Sequence, residues 1–181
     1  MIAAVIRSHG FDIDVSPPSR FGSIEDYDVV VLGSAVYAGQ WLKPALKFAR
    51  MYELSLRERA VWLFSCGPVG NPPSPLEGPA GIAQLAKSTQ ARGHRLFPGR
   101  LDRERLNPIE KLMAAAFHAP EGDFRDWQSV QNWADEIAEA LRAGEARWKL
   151  DDVSPDCAGG LCDAGSRPVD EPAPLRVLCT L

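Results

Sequence analysis

The sequence has little that would place its protein in a membrane, in a secretory pathway or on a nucleic acid. No apolar run among its 181 residues approaches the ~18 residues that a membrane-spanning helix needs. Residues 1–10 lack the cationic stretch followed by an apolar stretch that marks a signal peptide. A net charge of -4 excludes a strongly basic nucleic-acid-binding protein. We therefore expect a soluble, cytoplasmic protein with no nucleic-acid partner.

Recognisable catalytic motifs are also absent. The sequence has no Ser-His-Asp set, no phosphate-binding P-loop and no paired acidic motif, so we assign no catalytic side chain. Cys157 and Cys162 are spaced as a redox pair or as half of a metal site would be. Two ligands fall short of the four that a structural zinc site requires. Free thiols in a reducing compartment are the simpler interpretation, and we expect no metal site.

Charge and composition divide the chain into two parts. Residues 1–150 contain 18 acidic and 18 basic side chains, whereas residues 151–181 contain six acids against Arg167 and Arg176. The C-terminal part also contains three of the four cysteines. We predict one compact domain over 1–146 and an acidic tail over 147–181, which a composition of this kind leaves disordered.

Predicted strands alternate with predicted helices along the domain. Continuous runs rich in β-branched and aromatic residues are typical of strands buried on both faces of a parallel sheet, and they occur at 28–33, 60–64 and 94–97. Helical periodicity marks 41–51 and 82–91. A capped helix is predicted from Asn107, and a last helix is predicted from Asp126 to a stop at Gly144. This alternation predicts an α/β fold with a parallel sheet.

Two loops that leave predicted strands have unusual compositions. Small residues dominate 33–39, and Gly and Pro dominate 65–73. Ligands bind at the carboxyl ends of the strands in sheets of this kind. Small residues there let a flat ligand approach the backbone, and Tyr37 and Trp41 are placed to cover a ring. The alternative is that both loops are plain tight turns, since Gly and Pro are common in all loops.

Together the two loops resemble those of flavodoxin-like domains. The stretch YDVVVLGSAVYAGQWLKPALKFAR is similar to the third strand, cofactor loop and following helix of such domains, and VWLFSCGPVG is similar to their fourth strand and second flavin loop. Residues 99–141 resemble the C-terminal part of menaquinone-dependent protoporphyrinogen IX dehydrogenases, including a Gly-Asp-x-x-Asp-Trp pattern at Gly122–Trp127. The resemblance implies a flavodoxin-like three-layer sandwich.

The resemblance further implies a protein that binds FMN noncovalently and passes electrons through it, from a porphyrinogen to a quinone. The two loops would lie on opposite sides of the isoalloxazine ring, and the second would give backbone hydrogen bonds to the ring's polar edge. A quinone partner implies, in turn, peripheral contact with the inner face of the membrane. The implied FMN-binding residues are Ser34, Ala35, Val36, Tyr37 and Gly39 in the first loop and Ser65, Cys66, Gly67, Pro68 and Val69 in the second.

The start of the chain departs from this family, because the usual first strand is lacking. That strand and a Ser/Thr-rich loop should precede the first helix and cradle the FMN phosphate, whereas residues 1–10 read as the end of that helix. Three interpretations stay open: a longer natural protein, a truncated remnant or binding module that keeps the fold without FMN, and a permuted sheet in which Leu175–Leu181 fills the vacant central position. The chain as it stands should bind FMN weakly.

An empty central position would leave buried backbone groups unpaired, at a cost of ~1–3 kcal/mol each. The simplest solution needs no long return path. In it, the strand at Phe11–Val15 moves across to pair directly with Val29–Leu32, and the tail stays disordered. Removal of residues 151–181 would then shift the melting temperature by no more than about 2 °C.

Overall fold

The structure is a computed structural model that describes residues 1–20, 23–37, 39–67, 79–102, 104, 108, 111–112, 115, 121–151 and 175–180. The helices are α1 (Ile2–Ser8), α2 (Lys43–Met51), α3 (Glu53–Arg57), α4 (Ile82–Ser88) and α5 (Trp127–Asp151). The strands are β1 (Asp12–Ser16), β2 (Val29–Tyr37), β3 (Gln40–Trp41), β4 (Ala60–Cys66), β5 (Gly93–Phe97), β6 (Arg100–Leu101), β7 (Gly122–Asp123) and β8 (Arg176–Thr180). None of the helices in these ranges is long and apolar enough to cross a membrane.

Five strands form the parallel body of a six-stranded sheet in the order β1-β8-β2-β4-β5. The sixth strand, β3, turns back from the end of β2 and pairs with it in the antiparallel direction. A separate antiparallel pair, β6 with β7, lies beyond the end of β5. The fold is therefore the predicted α/β flavodoxin-like arrangement with a mostly parallel sheet.

Side chains that alternate along each strand enter two separate cores, one on each face of the sheet. On one face, Val29 and Val31 of β2 pack with helices α1 and α5, which contribute Ile6 and Ile137 among others. On the other face, Val30 and Leu32 pack with α2, α3 and α4. The continuous apolar runs of β2 and β4 follow from this layering, because both faces of a central parallel strand are buried.

The predicted elements of the central domain are confirmed with small changes in their ends. Strands occupy 29–37, 60–66 and 93–97, and helices occupy 43–51 and 82–88. Residues 1–10 do form a helix, α1, and Gly10 follows it with a φ of 93°. The His9 ring lies 2.7 Å from the Asp135 carboxylate, which ties α1 to α5. The helix predicted from Asn107 lies largely outside the described residues.

The prediction for the central position of the sheet was wrong. Phe11–Val15 does not move across to pair with Val29–Leu32, because β8 lies between them and is parallel to both neighbours. Ile13 is opposite Val177 from one side, and Val29 is opposite the same residue from the other. At least Arg176–Thr180 of the tail is thus an ordered core strand, and the permuted arrangement is the one that the structure contains.

The predicted stop of the last helix at Gly144 was also wrong, because α5 continues to Asp151. A single glycine inside a helix costs only about 1 kcal/mol relative to alanine. The residues that follow Gly144 include Glu145, Ala146 and Arg147, which are all strong helix formers. The helix can therefore run through the glycine.

The position of β8 predicts the effect of truncating one of its side chains. Leu178 is fully buried in the core between the sheet and helices α2, α3 and α4. Leu178→Ala should therefore lower the free energy of unfolding by ~2–5 kcal/mol. Leu54→Ala is the matched control: Leu54 is 74% exposed on α3, and its truncation should change stability by no more than ~0.5 kcal/mol. Urea unfolding measures both variants. Equal, small effects would contradict the placement of β8 and support a tail that can be removed without loss.

Candidate functional site

The carboxyl ends of β8, β2 and β4 meet at one edge of the sheet. Thr180 ends β8 opposite Leu32, and Cys66 ends β4 opposite Ala35. Strand β2 extends beyond both neighbours to Tyr37 and then turns back into β3. The two predicted ligand loops therefore emerge side by side at the edge where ligands bind in open parallel sheets.

The hydroxyl of Ser34 is used inside the protein. It accepts a hydrogen bond from the Leu42 backbone N at 3.0 Å and donates one to the Ala35 carbonyl at 2.8 Å. Ser34 is buried, and it points toward the face covered by α2. Its role in this structure is to hold the β2–β3 hairpin against the start of α2.

Ser65 also points toward the face covered by α2, where it forms a polar cluster with buried Trp41 and half-buried His94. The Trp41 Nε1 donates to the Ser65 hydroxyl at 2.7 Å, and that hydroxyl lies 2.8 Å from His94 Nε2. Burial lowers the pKa of His94, which favours a neutral imidazole, and in one of its tautomers Nε2 accepts a hydrogen bond from the Ser65 hydroxyl. The cluster links the hairpin after β2 to the end of β4 and the start of β5. Trp41 is buried in it, so its ring does not cover a surface ligand.

The opposite face of this edge is more open. Ala35 and Tyr37 alternate with Ser34 and so point away from α2, and the Tyr37 ring is 47% exposed. Gly39, at the tip of the hairpin, has a φ of 75° and open space where a Cβ would stand. Half-buried Cys66 lies next to Ala35 on the same face. We call Ala35, Tyr37 and Cys66 the open platform.

The thiol on this platform is not activated. Burial raises the pKa of Cys66, and the nearby Arg125 guanidinium lowers it less than burial raises it. The Sγ lies 3.9 Å from the Pro98 carbonyl oxygen, to which the thiol donates weakly. A protonated, half-buried thiol is a poor nucleophile. Cys66 therefore contributes shape rather than covalent chemistry.

Gly67 packs the second loop directly onto the first. Its φ is 139°, and a Cβ built on it would stand 3.0 Å from both the backbone N and O of Val36. A Cβ on Gly99 would in turn stand 2.6 Å from the Gly67 Cα. The backbones of 36, 67 and 99 thus lie against one another, which leaves no room for a flat ligand between them. Pro68 and Val69 lie outside the described residues.

The hydroxyl of Thr180 is the one buried side-chain oxygen or nitrogen without a hydrogen-bond partner in the part of the chain that the structure describes. It stands at the carboxyl end of the central strand, between Leu32 of β2 and Ser16 of β1. An unpaired buried hydroxyl is costly in a stable core. Here it marks a polar position at the ligand edge of the sheet.

The Gly-Asp-x-x-Asp-Trp pattern has a structural role. Asp126 accepts hydrogen bonds from the backbone N and the hydroxyl of Ser129 and so caps α5, which lowers its pKa. The side chain of Arg125 bonds to Asp123 and holds the pKa of that carboxyl at about 2, while its guanidinium stacks over Trp127 at 4.8 Å. The pattern fixes where α5 starts beside the β6–β7 pair.

Sequence reasoning missed the two internal partners of this site, Thr180 and His94. His94 lies in β5, whose sequence has a weak strand pattern and no recognisable motif. The alternation of side chains along β4 could have shown that Ser65 lies on the same face as Val61 and Leu63. Within the described ranges no cluster of three or more His, Cys, Asp or Glu side chains could hold a metal ion. Cys157 and Cys162 lie outside those ranges.

Comparison with known proteins gives one match. The family model described as a flavodoxin domain matches residues 1–127, which include α1 and the strands β1 to β7 but not β8. No curated protein and no solved structure is significantly similar to the chain.

The geometry of Gly67 and Gly39 predicts different costs for the same substitution. Gly39→Ala meets only the backbone preference against positive φ, about 1–2 kcal/mol. Gly67→Ala adds a clash with the Val36 backbone, so its loss of unfolding free energy should be larger, about 2 kcal/mol or more. Denaturant unfolding of the two variants without any ligand measures this difference. Equal losses would show that the contact between the two loops does not restrain Gly67.

The Trp41–Ser65–His94 cluster predicts a dependence of stability on pH. Because the pKa of His94 is lowered in the folded chain, the unfolded chain takes up a proton first as the pH falls below ~6.5, and stability falls. We expect the wild-type protein to lose more unfolding free energy between about pH 7.5 and about pH 5.5 than His94→Gln does, since glutamine keeps an acceptor for Ser65 but does not titrate. Thermal unfolding over this range measures both proteins. Parallel pH profiles would exclude His94 as the group that titrates.

Proposed function

Because the chain belongs to the flavodoxin domain family, we propose that it is a flavin-dependent redox protein whose open platform receives the FMN ring. Flavodoxin domains generally bind FMN and carry electrons. The observation that carries the proposal is the exposed Tyr37 ring on a hairpin that extends past its neighbours at the ligand edge of the sheet. Bound FMN would supply the redox chemistry, which no described side chain provides.

The residues around the platform fit the ring part of FMN. Tyr37 offers an exposed aromatic face for stacking, and Gly39 leaves space at the hairpin tip. The hydroxyls of Ser34 and Ser65 already make hydrogen bonds inside the protein. Polar contacts to a ring would therefore come from the backbone of Tyr37, Gly39 and Gly67. The Trp41–Ser65–His94 cluster would hold these two loops at a fixed separation.

The phosphate part of FMN fits less well. Family members cradle the phosphate with hydroxyls and backbone N–H groups ahead of the first helix. In the described residues, the one buried side-chain hydroxyl at this edge without a hydrogen-bond partner is that of Thr180. We therefore propose that the ring provides most of the affinity and the phosphate little.

The finer proposal is a reaction of the protoporphyrinogen dehydrogenase type, in which electrons pass from a porphyrinogen through the flavin to a quinone. It rests on the resemblance over residues 99–141, where the α5 cap at Asp126 gives the shared pattern a defined structural purpose. A flat donor and a flat acceptor could both approach an exposed platform. Peripheral contact with a membrane that holds the quinone belongs to the same proposal.

A second candidate function is a binding module that keeps the fold without flavin. The internal hydrogen bonds of Ser34 and Ser65 favour it, because these two loop hydroxyls are not free to contact a flavin. The two candidates differ in whether the isolated chain binds the ring at all, and a flavin titration separates them.

The test compares FMN with riboflavin, which has the same ring and lacks the phosphate. If the ring dominates, quenching of flavin fluorescence should give dissociation constants for the two ligands that agree within about threefold, because a single charge-assisted phosphate hydrogen bond would already favour FMN about tenfold or more. Tyr37→Ala should weaken both ligands equally. Leu54→Ala, on α3 and remote from Tyr37, is the control and should change neither.

Three results would revise the proposal. Binding of neither ligand would favour the flavin-free module. FMN bound more than about tenfold tighter than riboflavin would reveal a phosphate site outside the described residues. A Tyr37→Ala variant that binds both ligands as the parent does would place the ring elsewhere.

A further inference from the structure

Strand β8 is paired with a neighbouring strand on each of its two edges, and its apolar side chains are buried on both faces of the sheet. Its backbone pairs with β1 over Asp12–Ser16 and with β2 over Val29–Leu32. Val177 and Cys179 are buried in the core beneath α1 and α5, and Leu178 is buried in the core beneath α2 and α3. The cleft between β1 and β2 therefore binds a five-residue strand through backbone pairing at both of its edges and through buried side chains on both of its faces.

A charged clamp recognises the first residue of this strand. The Arg176 backbone N donates to the Asp28 carboxylate at 3.0 Å. The Arg176 guanidinium lies 3.2 Å from the Asp14 carboxylate and 3.7 Å from that of Asp12. It also stacks over the Tyr27 ring at 4.9 Å, and the Tyr27 hydroxyl donates to Asp14. An apolar strand without the arginine would fit the cleft but would leave these carboxylates facing one another.

Nothing in these contacts requires that the strand belong to the same chain. Each one joins β8 to β1, to β2, to the Tyr27–Asp28 turn or to the two cores, and the strand's covalent link enters only at Leu175. Residues 152–174 separate that point from α5 and reach at most roughly 80 Å when extended. This reach exceeds the diameter of a domain of this size, so the cleft of a second copy is accessible.

We propose that the cleft between β1 and β2 is a strand-binding site that accepts the Arg176–Thr180 strand of a second copy of this chain as well as its own. Reciprocal exchange reproduces every contact of β8 in both copies, so its cost is the loss of the intramolecular link, which the protein concentration offsets. The contacts of the Arg176 guanidinium with Asp12 and Asp14 favour this strand in the cleft over a strand without the arginine. In an exchanged pair, each copy places its Thr180 at the ligand edge of the other.

Two full-length variants with opposite charge changes test this proposal. In Arg176→Glu the strand is reversed in sign and meets Asp12 and Asp14 of its own chain. In the double variant Asp12→Arg, Asp14→Arg the cleft is reversed and meets its own Arg176. Each chain alone is mismatched, but reciprocal exchange between them creates two matched clamps. The variants are unfolded together in denaturant and refolded at about 200 µM, which is below the roughly millimolar effective concentration of a tethered strand. Native mass spectrometry then measures the amounts of monomer, homodimer and heterodimer.

We expect the heterodimer of the two variants to be at least about tenfold more abundant than either homodimer, because only the heterodimer relieves both mismatches, at about 1.4 kcal/mol per tenfold. Cys179 provides a second readout, since burial raises the pKa of its thiol to about 11. It should resist thiol reagents in the heterodimer and react faster in either variant alone.

The control is an equal charge reversal away from the cleft. Arg95→Glu mixed with Glu136→Arg reverses an exposed ion pair between β5 and α5 and leaves the cleft unchanged, so any homodimers and heterodimers should form in statistical proportion, as with the parent protein. Monomers alone from the test mixture, with both variants folded by circular dichroism, would overturn the proposal. So would homodimers and heterodimers in statistical proportion. If neither variant folds by itself, recovery of the fold in the mixture supports exchange, and failure to recover it overturns exchange.

Discussion

The parallel pairing of Arg176–Thr180 between β1 and β2 is the constraint on which the rest of the structure depends. A vacant central position would leave two rows of buried backbone groups without partners, at ~1–3 kcal/mol for each group. A domain has only ~5–15 kcal/mol of stability to lose. The same strand also joins the two cores, because Val177 and Cys179 enter one and Leu178 the other. The sheet is thus one cooperative body only when this strand is in place.

Much of the sheet could be predicted from the sequence, because local patterns carried the information. The β-branched run that became β2 and the apolar run that became β4 have compositions that only a strand buried on both faces explains. The pairing of β8 is different, since Asp28 and Arg176 stand 148 residues apart. A short, mostly apolar segment such as Leu175–Leu181 fits a core strand as well as a loose tail, and only the geometry of the vacant position decides between them. The prediction that Phe11–Val15 would fill the vacant position, because it needs no long connection, overestimated the entropic cost of closing a long loop. That cost grows only slowly with loop length.

The sequence predicted where the two loops leave the sheet, but not which way their side chains point. Both loops do emerge at the carboxyl edge of the sheet, and Tyr37 is exposed there. Side chains alternate between the two faces along a strand, so Ser34 lies on the same face as Leu32, and Ser65 on the same face as Leu63. Their hydroxyls therefore point toward the face that α2, α3 and α4 cover. Trp41 follows them for the same reason and becomes a hydrogen-bond donor in a polar cluster rather than a cover for a ring. Composition identified the loops, but only strand register shows which side chains are free.

The inward hydrogen bonds and the backbone contact at Gly67 have a common consequence for chemistry. They fix the β2–β3 hairpin to the end of β4 and the start of β5, and they occupy the hydroxyls of Ser34 and Ser65, which could otherwise have contacted a ligand. Among the described residues, the edge presents outward the aromatic side chain of Tyr37, the small side chain of Ala35, the half-buried thiol of Cys66 and backbone. Such a surface offers a flat conjugated group an aromatic face and close access to the backbone. Function at this edge therefore depends on how firmly β8 and the two loops keep the platform in place.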